Sequence, residues 1–461
     1  MNFFDTAFEN FAKNKPVSVM VRATLENTLS AKRLDDVFDR HAQQQYTGEL
    51  LFSTVAELMG EVVLRIQPTI NFAWRERKDE IGVTVKSVYD KLSGIEAVVS
   101  RAMVRETAKR KAAIIRQLGC LPKPLVSGYR TKIIDGNHLR HTDSRIGPLR
   151  EVNVAPLPGK SLVILDPCLR LAIDVIPCLD GHAQERSLLG EALEIVEKND
   201  LWIGDRNFCT VDYLFGIAER KARFVIRQHG NLPFELKGRR RLMDETETGR
   251  VYQQTMSVTD SEGKTREFRR IEIRLKEPTR DGDEVVFLVS SLPGRISAAA
   301  IADSYRKRWK IETAFQEMAE NLVGEIETLG YPKAALFGFC MALVSYNLMS
   351  VVRAAVASQH GDEAAETFST YYACHEVSQT TEGMSVVLPP KYWQERYGRL
   401  TPTQMAAELS QLAAQTSLSK YRKNKWTTKA RPPDKPETNR RHASTMRILV
   451  EPTKLKAAGK N

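Results

Sequence analysis

The sequence predicts an α/β protein: a mixed-sheet core preceded by a helical N-terminal domain and followed by a basic C-terminal region. Three observations carry that expectation. Between residues 129 and 229, short apolar runs are interleaved with segments of helical period. Residues 230–291 hold further strand-like runs split by Gly, Asp and Pro. Before residue 120, apolar residues instead recur at three- and four-residue steps, the period of a helix.

Each element follows in chain order. "VMVRATLENTLSAKRLDDVFDRHAQ" and "KSVYDKLSGIEAVVSRAMVRETAKRKAAIIRQL" read as helices, and "AKRKAAIIRQL" adds a basic face. Residues 1–124 are therefore expected to form a helical domain that either binds DNA or serves a structural role. The boundary falls at "GCLPKP", residues 119–124. "YRTKIIDGN" (129–137) is an apolar run closed by an acid and a Gly. "GKSLVILDP" (159–167) and "LRLAIDVIPCL" (169–179) predict two strands joined by a turn. "ERSLLGEALEIVEK" (185–198) predicts a helix and "DLWIGDRNF" (200–208) a buried strand ending in an acid. A helix over 211–221 and a strand over 222–229 complete the unit. Three strands followed by helix–strand–helix–strand describe a mixed sheet, not a doubly wound alternation.

Residues 230–291 are expected to be a β subdomain inserted into that core, which runs over 125–229 and resumes over 292–358. "IADSYRKRWKIETAFQEM" (301–318) lacks Gly and Pro and predicts one helix. "ALFGFCMALVSYNLMSVV" (335–352) is uncharged for 18 residues, a length that touches the bilayer threshold. Ser345, Tyr346, Asn347 and Ser350 interrupt it, so a buried helix is expected. Residues 359–461 form the C-terminal region, irregular and polar apart from a helix at 401–415.

Charge points to a partner. The net charge is +11 over 461 residues, which favours a polyanion such as nucleic acid. Residues 420–461 hold 13 Lys/Arg against 3 Asp/Glu, so most of the excess lies in a Pro-containing tail suited to a phosphate backbone or to solubility. The six Cys are scattered without C-x-x-C spacing, so neither a zinc framework nor disulfides are expected, and a reducing cytoplasm is. The N-terminal "MNFFDTAFENFAKNKP" lacks a secretory pattern.

Chemistry gathers on three carboxylates. Asp135 and Asp205 each close a strand-like run, where open α/β sheets present ligands. Glu312 is the acid amid Arg306, Lys307, Arg308 and Lys310, with Tyr305, Trp309 and Phe315 interleaved. At about 100° per residue, Tyr305, Arg308 and Glu312 fall on one helix face. A solvated helix with Glu312 paired to Arg308 would give the same pattern. Three converging carboxylates, however, repel unless a cation joins them, and hard oxygen donors suit Mg²⁺ or Mn²⁺. Two such ions serve phosphoryl transfer.

"IIDGN", "WIGDRNF" and "YRKRWKIETAF" together resemble the bacterial insertion-sequence DDE transposases, and the last block resembles the cut-and-paste group with a Tyr-x-x-Arg-x-x-x-Glu signature and a β insertion before the Glu. The resemblance covers about residues 125–350. It implies a ribonuclease-H-like core and two-metal cleavage of DNA at element ends, followed by joining of the 3′-hydroxyl to target DNA. Asp135, Asp205 and Glu312 would bind two Mg²⁺ ions, with Mn²⁺ as substitute. Tyr305 and Arg308 would hold DNA phosphates, with Arg206, Lys307, Trp309 and Lys310 as further contacts. Double-stranded DNA and a homodimer in a synaptic complex would be the partners, in a bacterial cytoplasm. A non-catalytic DNA-binding protein and a stand-alone metal nuclease are the alternatives. One departure stands out: the Lys that usually follows the Glu by seven residues is Ala319 here.

Other candidates are expected to be structural. His138 and His141 have H-x-x-H spacing without supporting ligands and read as loop residues. Asp166 and Asp174 read as turn or edge residues. Phe234, Tyr252, Phe268 and Phe287 read as core of the β insertion, although one of them could stack a flipped base.

Overall fold

The computed structural model describes residues 3–139, 146–150, 155–279, 282–326, 328–423 and 442–451. Eight helices come first: α1 (Phe3–Asn14), α2 (Pro16–Leu29), α3 (Ala31–His41), α4 (Phe52–Val63), α5 (Ile70–Glu76), α6 (Lys78–Ile81), α7 (Val85–Gly94) and α8 (Ala97–Gln117). The core then runs β1 (Arg130–Leu139), β2 (Ala155–Leu157), β3 (Gly159–Asp166), β4 (Leu171–Cys178), α9 (Leu189–Glu194), β5 (Asp200–Gly204), α10 (Val211–Glu219) and β6 (Arg223–Arg227). β7 (Glu235–Glu245), β8 (Gly249–Thr259), β9 (Thr265–Leu275) and β10 (Val285–Ser290) follow. α11 (Ala298–Arg306), α12 (Trp309–Asn321) and α13 (Pro332–His360) lead into α14 (Asp362–Thr367), α15 (Thr370–Val387), α16 (Pro390–Tyr397) and α17 (Pro402–Ala414). β11 (His442–Ser444) and α18 (Thr445–Val450) come last, and β11 pairs with β2.

Nine strands form one sheet in the order β4-β3-β1-β5-β6-β10-β9-β8-β7. β4, β3 and β1 are antiparallel, and β5 and β6 lie parallel to β1. This is the mixed order of a ribonuclease-H-like core, as the sequence predicts. The strands of residues 235–290 hydrogen-bond onto it through β10 and β6, so the inserted segment prolongs the sheet. Its outer strand, β7, is exposed along its whole length and carries Arg239, Arg240 and Arg241. A charged edge of that kind discourages pairing with other chains.

Period-two alternation sends apolar residues to both faces. Ile134, Leu162, Ile164, Trp202, Phe224 and Ile226 pack with α9 and α10. Ile133, Val163, Leu165, Leu201, Ile203 and Val225 face a second core that also contains residues of α2, α8, α11 and α13. The N-terminal helices share that core with α15, α16 and α17. Among the described residues, α13 is the one helix long and apolar enough to cross a bilayer, and 94% of its apolar window is buried inside the protein. This agrees with the expected buried helix.

Several local expectations need correction. Asp135 does not end its strand: β1 continues to Leu139, because the β3 ladder carries on through Leu139↔Gly159. The stretch 301–318 is two helices, not one. Most of 185–198 is not a regular helix; α9 spans only Leu189–Glu194, after a short 3₁₀ turn. The described residues after 360 are largely helical, because apolar residues of α15, including Ala373, Cys374 and Val377, are buried in the shared core. Tertiary burial there overrides a composition rich in Thr, Tyr and Val. All six cysteines are free thiols. The tail expected to follow phosphates lies mostly outside the described residues, as does His141.

Candidate active site

Alternation in two neighbouring strands builds the site. Asp135 shares the face of Ile133, and Asp205 continues the face of Ile203, the side on which α11 and α12 lie. The last parallel pair between β1 and β5 is Ile134↔Gly204. The two aspartates are therefore the next residue on each strand, side by side just beyond the parallel ladder. Gly204 allows the close approach: a Cβ there would meet Ile134 Cγ2 at 3.2 Å and Phe208 Cδ2 at 3.1 Å.

The joint between α11 and α12 supplies the rest. Backbone bonds tighten to i→i+3 spacing, with Arg308 N to Tyr305 O at 2.9 Å and Ile311 N to Arg308 O at 3.0 Å. Residues three apart eclipse one another in such a turn, which brings Tyr305 and Arg308 to one side. The Tyr305 hydroxyl donates to Asp205 Oδ1 at 3.3 Å. Arg308 donates from Nη1 to Asp135 Oδ2 at 2.9 Å, and its Nη2 lies 2.5 Å from Glu312 Oε1. Thus the structure brings together five residues predicted from sequence: Asp135, Asp205, Tyr305, Arg308 and Glu312.

Electrostatics at this point are tense. Burial pushes the Asp135 carboxyl up to about 6, and Asp205 and Glu312 add to the rise while Arg308 and the Gly136 amide oppose it. Burial also pushes the Tyr305 phenol up, and Asp205 reinforces that shift. Arg308 is held above its usual value: burial would lower it, but Tyr305, Asp135, Glu312 and Asp205 outweigh that cost. Among the described residues no three Asp, Glu, His or Cys side chains meet closely enough to form a ready metal cage. The cation between Asp135 and Glu312 is the guanidinium of Arg308. The donor set nevertheless fits a hard divalent ion. It is all carboxylate oxygen, and two of its members, Asp135 and Glu312, already share a cation, the Arg308 guanidinium.

The remaining predicted residues lie at varying distance from this centre. Arg206 is exposed directly after Asp205, and Lys307 is half-buried in the α11–α12 joint. Trp309 is exposed. Lys310 turns elsewhere: burial lowers its ammonium, and the groups around it are Arg170, Cys168 and Glu366. Ala319 is exposed on α12. Asp166 accepts from the amides of Cys168 and Leu169 and so closes the β3–β4 turn. Asp174, on the edge strand β4, is buried in an ion pair with Arg101. In the β insertion, Phe268 is core, whereas Tyr252 lies under Arg240 at 4.5 Å and Phe287 under Arg270 at 3.9 Å.

Two residues near the site escaped the sequence reasoning. Glu185 accepts from Asn207 Nδ2 at 3.2 Å, and its Oε1 lies 2.2 Å from where a Cβ on Gly136 would stand. It therefore spans the neighbours of both aspartates, on the sheet face opposite Asp135. Gly136, with no Cβ, makes room for this approach. Arg227 pairs with Asp283 at 2.7 Å, and the Asp205 carboxylate also acts on its guanidinium.

Residues 127–348 match the family described as "Transposase DDE domain". Over 199 residues, 42% of this chain, the sequence is 26% identical to a protein of Sinorhizobium fredii named "Putative transposase y4zB". The aligned segment spans about half of that relative's length, 52%.

Proposed function

We propose, from the premise that residues 127–348 belong to the transposase DDE domain family, that the chain is a DNA transposase acting on the ends of its own insertion sequence. It would cleave phosphodiesters there and join the freed 3′-hydroxyls to target DNA. The observation that carries this is the linking of Asp135 and Glu312 through Arg308, with Asp205 tied to the neighbouring Tyr305, inside the matched segment.

Asp135, Asp205 and Glu312 would hold Mg²⁺, or Mn²⁺ in its place. Bound ions of this kind activate a water or 3′-hydroxyl and stabilise the leaving oxygen. The protein's own side chains bind and orient. Arg308 and Tyr305 would engage a phosphate next to the cut, with Arg206 and Lys307 beside them. Trp309, exposed at the start of α12, would extend that surface. The basic tail over 420–461 would add salt-sensitive attraction to the duplex. Pairing two element ends calls for a homodimer on DNA, within the cytoplasm of a bacterium.

The test incubates purified protein with a duplex carrying the element's end and Mg²⁺, alongside Glu312→Gln. Cleavage and joining by the wild type, absent from the variant, support the reading. Specific binding without cleavage in Mg²⁺ or Mn²⁺ overturns it in favour of a non-catalytic binder and directs attention to Ala319. Cleavage without joining points to a nuclease.

A further inference from the structure

We infer that Arg308 is an exchangeable counter-ion that makes divalent-ion binding and DNA binding depend on each other. The inference rests on the metal-dependent reading above. Its guanidinium neutralises two carboxylates that reach it from different elements, Asp135 on β1 and Glu312 on α12. It therefore stands where a divalent ion would be needed.

Its pose is incomplete. The Arg308 side chain is only 13% exposed, and among the described residues its buried Nε–H has no acceptor. Leaving a buried donor unmade costs about 1–3 kcal/mol. Arginine recognises phosphate with paired N–H groups in a planar fork. One open donor next to two occupied ones is the arrangement from which a phosphate oxygen can draw the group away. Arg308 also precedes the first turn of α12, so its side chain can re-aim without unwinding that helix.

The charges then set the coupling. If Arg308 moved to DNA with no ion present, Asp135 and Glu312 would face a polyanion unneutralised. If an ion entered with no DNA present, it would compete with a guanidinium tethered in place. Each ligand thus removes an obstacle to the other, and by linkage the gain is equal in both directions.

The experiment measures Mn²⁺ affinity of the full chain by titration calorimetry, alone and with a phosphorothioate-linked duplex that resists cleavage. Wild type, Arg308→Ala, Arg308→Gln and Asp135→Asn are compared, with near-ultraviolet circular dichroism as a check of folding. Arg308→Gln keeps the length and a donor but not the charge. The expected result is about tenfold tighter Mn²⁺ binding by both Arg308 variants without DNA, a range typical of coupled sites. The duplex should tighten Mn²⁺ binding to the wild type about tenfold and leave the variants unchanged. Unaltered Mn²⁺ affinity in folded Arg308 variants, with binding lost in Asp135→Asn, overturns the exchange and leaves the metal site standing. Equal Mn²⁺ binding by wild type and Asp135→Asn overturns the metal-dependent reading itself.

Discussion

Asn347, within the uncharged stretch 335–352 of α13, makes two hydrogen bonds with the backbone of Ala172 on β4. The Ala172 amide donates to Asn347 Oδ1 at 2.8 Å, and Asn347 Nδ2 donates to the Ala172 carbonyl at 2.8 Å. β4 is an edge strand of the nine-stranded sheet, and its register with β3 shifts between Ile164 and Leu165. The amide thus stands in for a missing neighbouring strand. This is why a helix buried almost throughout tolerates a polar residue at its centre. Asn347→Leu should leave two buried backbone groups unpaired and cost about 2–4 kcal/mol, read as a lower midpoint in urea unfolding. A variant as stable as wild type would show that the backbone at Ala172 finds other partners.

Arg101 on α8 and Asp174 on β4 fasten the N-terminal helices to the sheet. Two parallel bonds join them, Nε to Oδ1 and Nη2 to Oδ2, both at 3.1 Å. The Asp174 side chain is 4% exposed, so removing Arg101 leaves its charge with only the long contact to Arg105 Nε, at 3.9 Å. Arg101→Ala should destabilise by about 3–5 kcal/mol. Adding Asp174→Asn should recover part of that loss, because the isolated charge is gone. Thermal unfolding of the two single variants and the double variant measures the interaction directly.

Lys111 should set a pH dependence of stability. It is wholly buried on α8, its Nζ has no acceptor among the described residues, and burial pushes its ammonium down to about 7. Between pH 7 and about 10.5 the unfolded chain then binds a proton at this site that the folded chain has released. Stability from this residue therefore rises with pH through that window, by up to about 1.4 kcal/mol per pH unit. Below it, both states are protonated and the cost of burying the charge persists. Lys111→Met should raise Tm at pH 7, and its advantage should shrink as pH climbs toward 10. A pH-independent difference between the two proteins contradicts the assignment.

Glu185 and Gly136 should act as one unit. A methyl group at Gly136 would occupy the position of the Glu185 carboxylate and take the acceptor from Asn207. Gly136→Ala and Glu185→Ala should each slow DNA cleavage about tenfold, since small misplacements of reacting groups are costly. The double variant should be no slower than either single one. Multiplicative losses in the cleavage assay would separate the two residues.

Much of the centre is legible in the sequence because it is encoded locally. Tyr305, Arg308 and Glu312 lie three and four residues apart, so any helical joint brings them together. Continuous apolar runs marked β3, β5 and β6 because both faces of these strands are covered. Contacts across the fold left no such trace. Glu185 meets Gly136 only after β1 and the segment before α9 are stacked, and neither neighbourhood announces it. Asp135 was expected at a strand end because Gly, Asn and His follow it, yet pairing with β3 holds these residues extended. The inserted strands show their own alternation but not their pairing onto β6, which depends on three bonded positions from Leu288 to Ser290.

α13 also has a consequence for the order in which the chain is made. Its residues pack against α2, α4, α7 and α8 on one side and against β3 and β4 on another. Every one of those elements leaves the ribosome before residue 332. Until α13 emerges, α8 can meet β4 directly, but the apolar faces that α13 covers on the other helices and on β3 stay open, which favours aggregation. A product truncated before that point is expected to aggregate, so it makes a poor soluble competitor of the full-length protein.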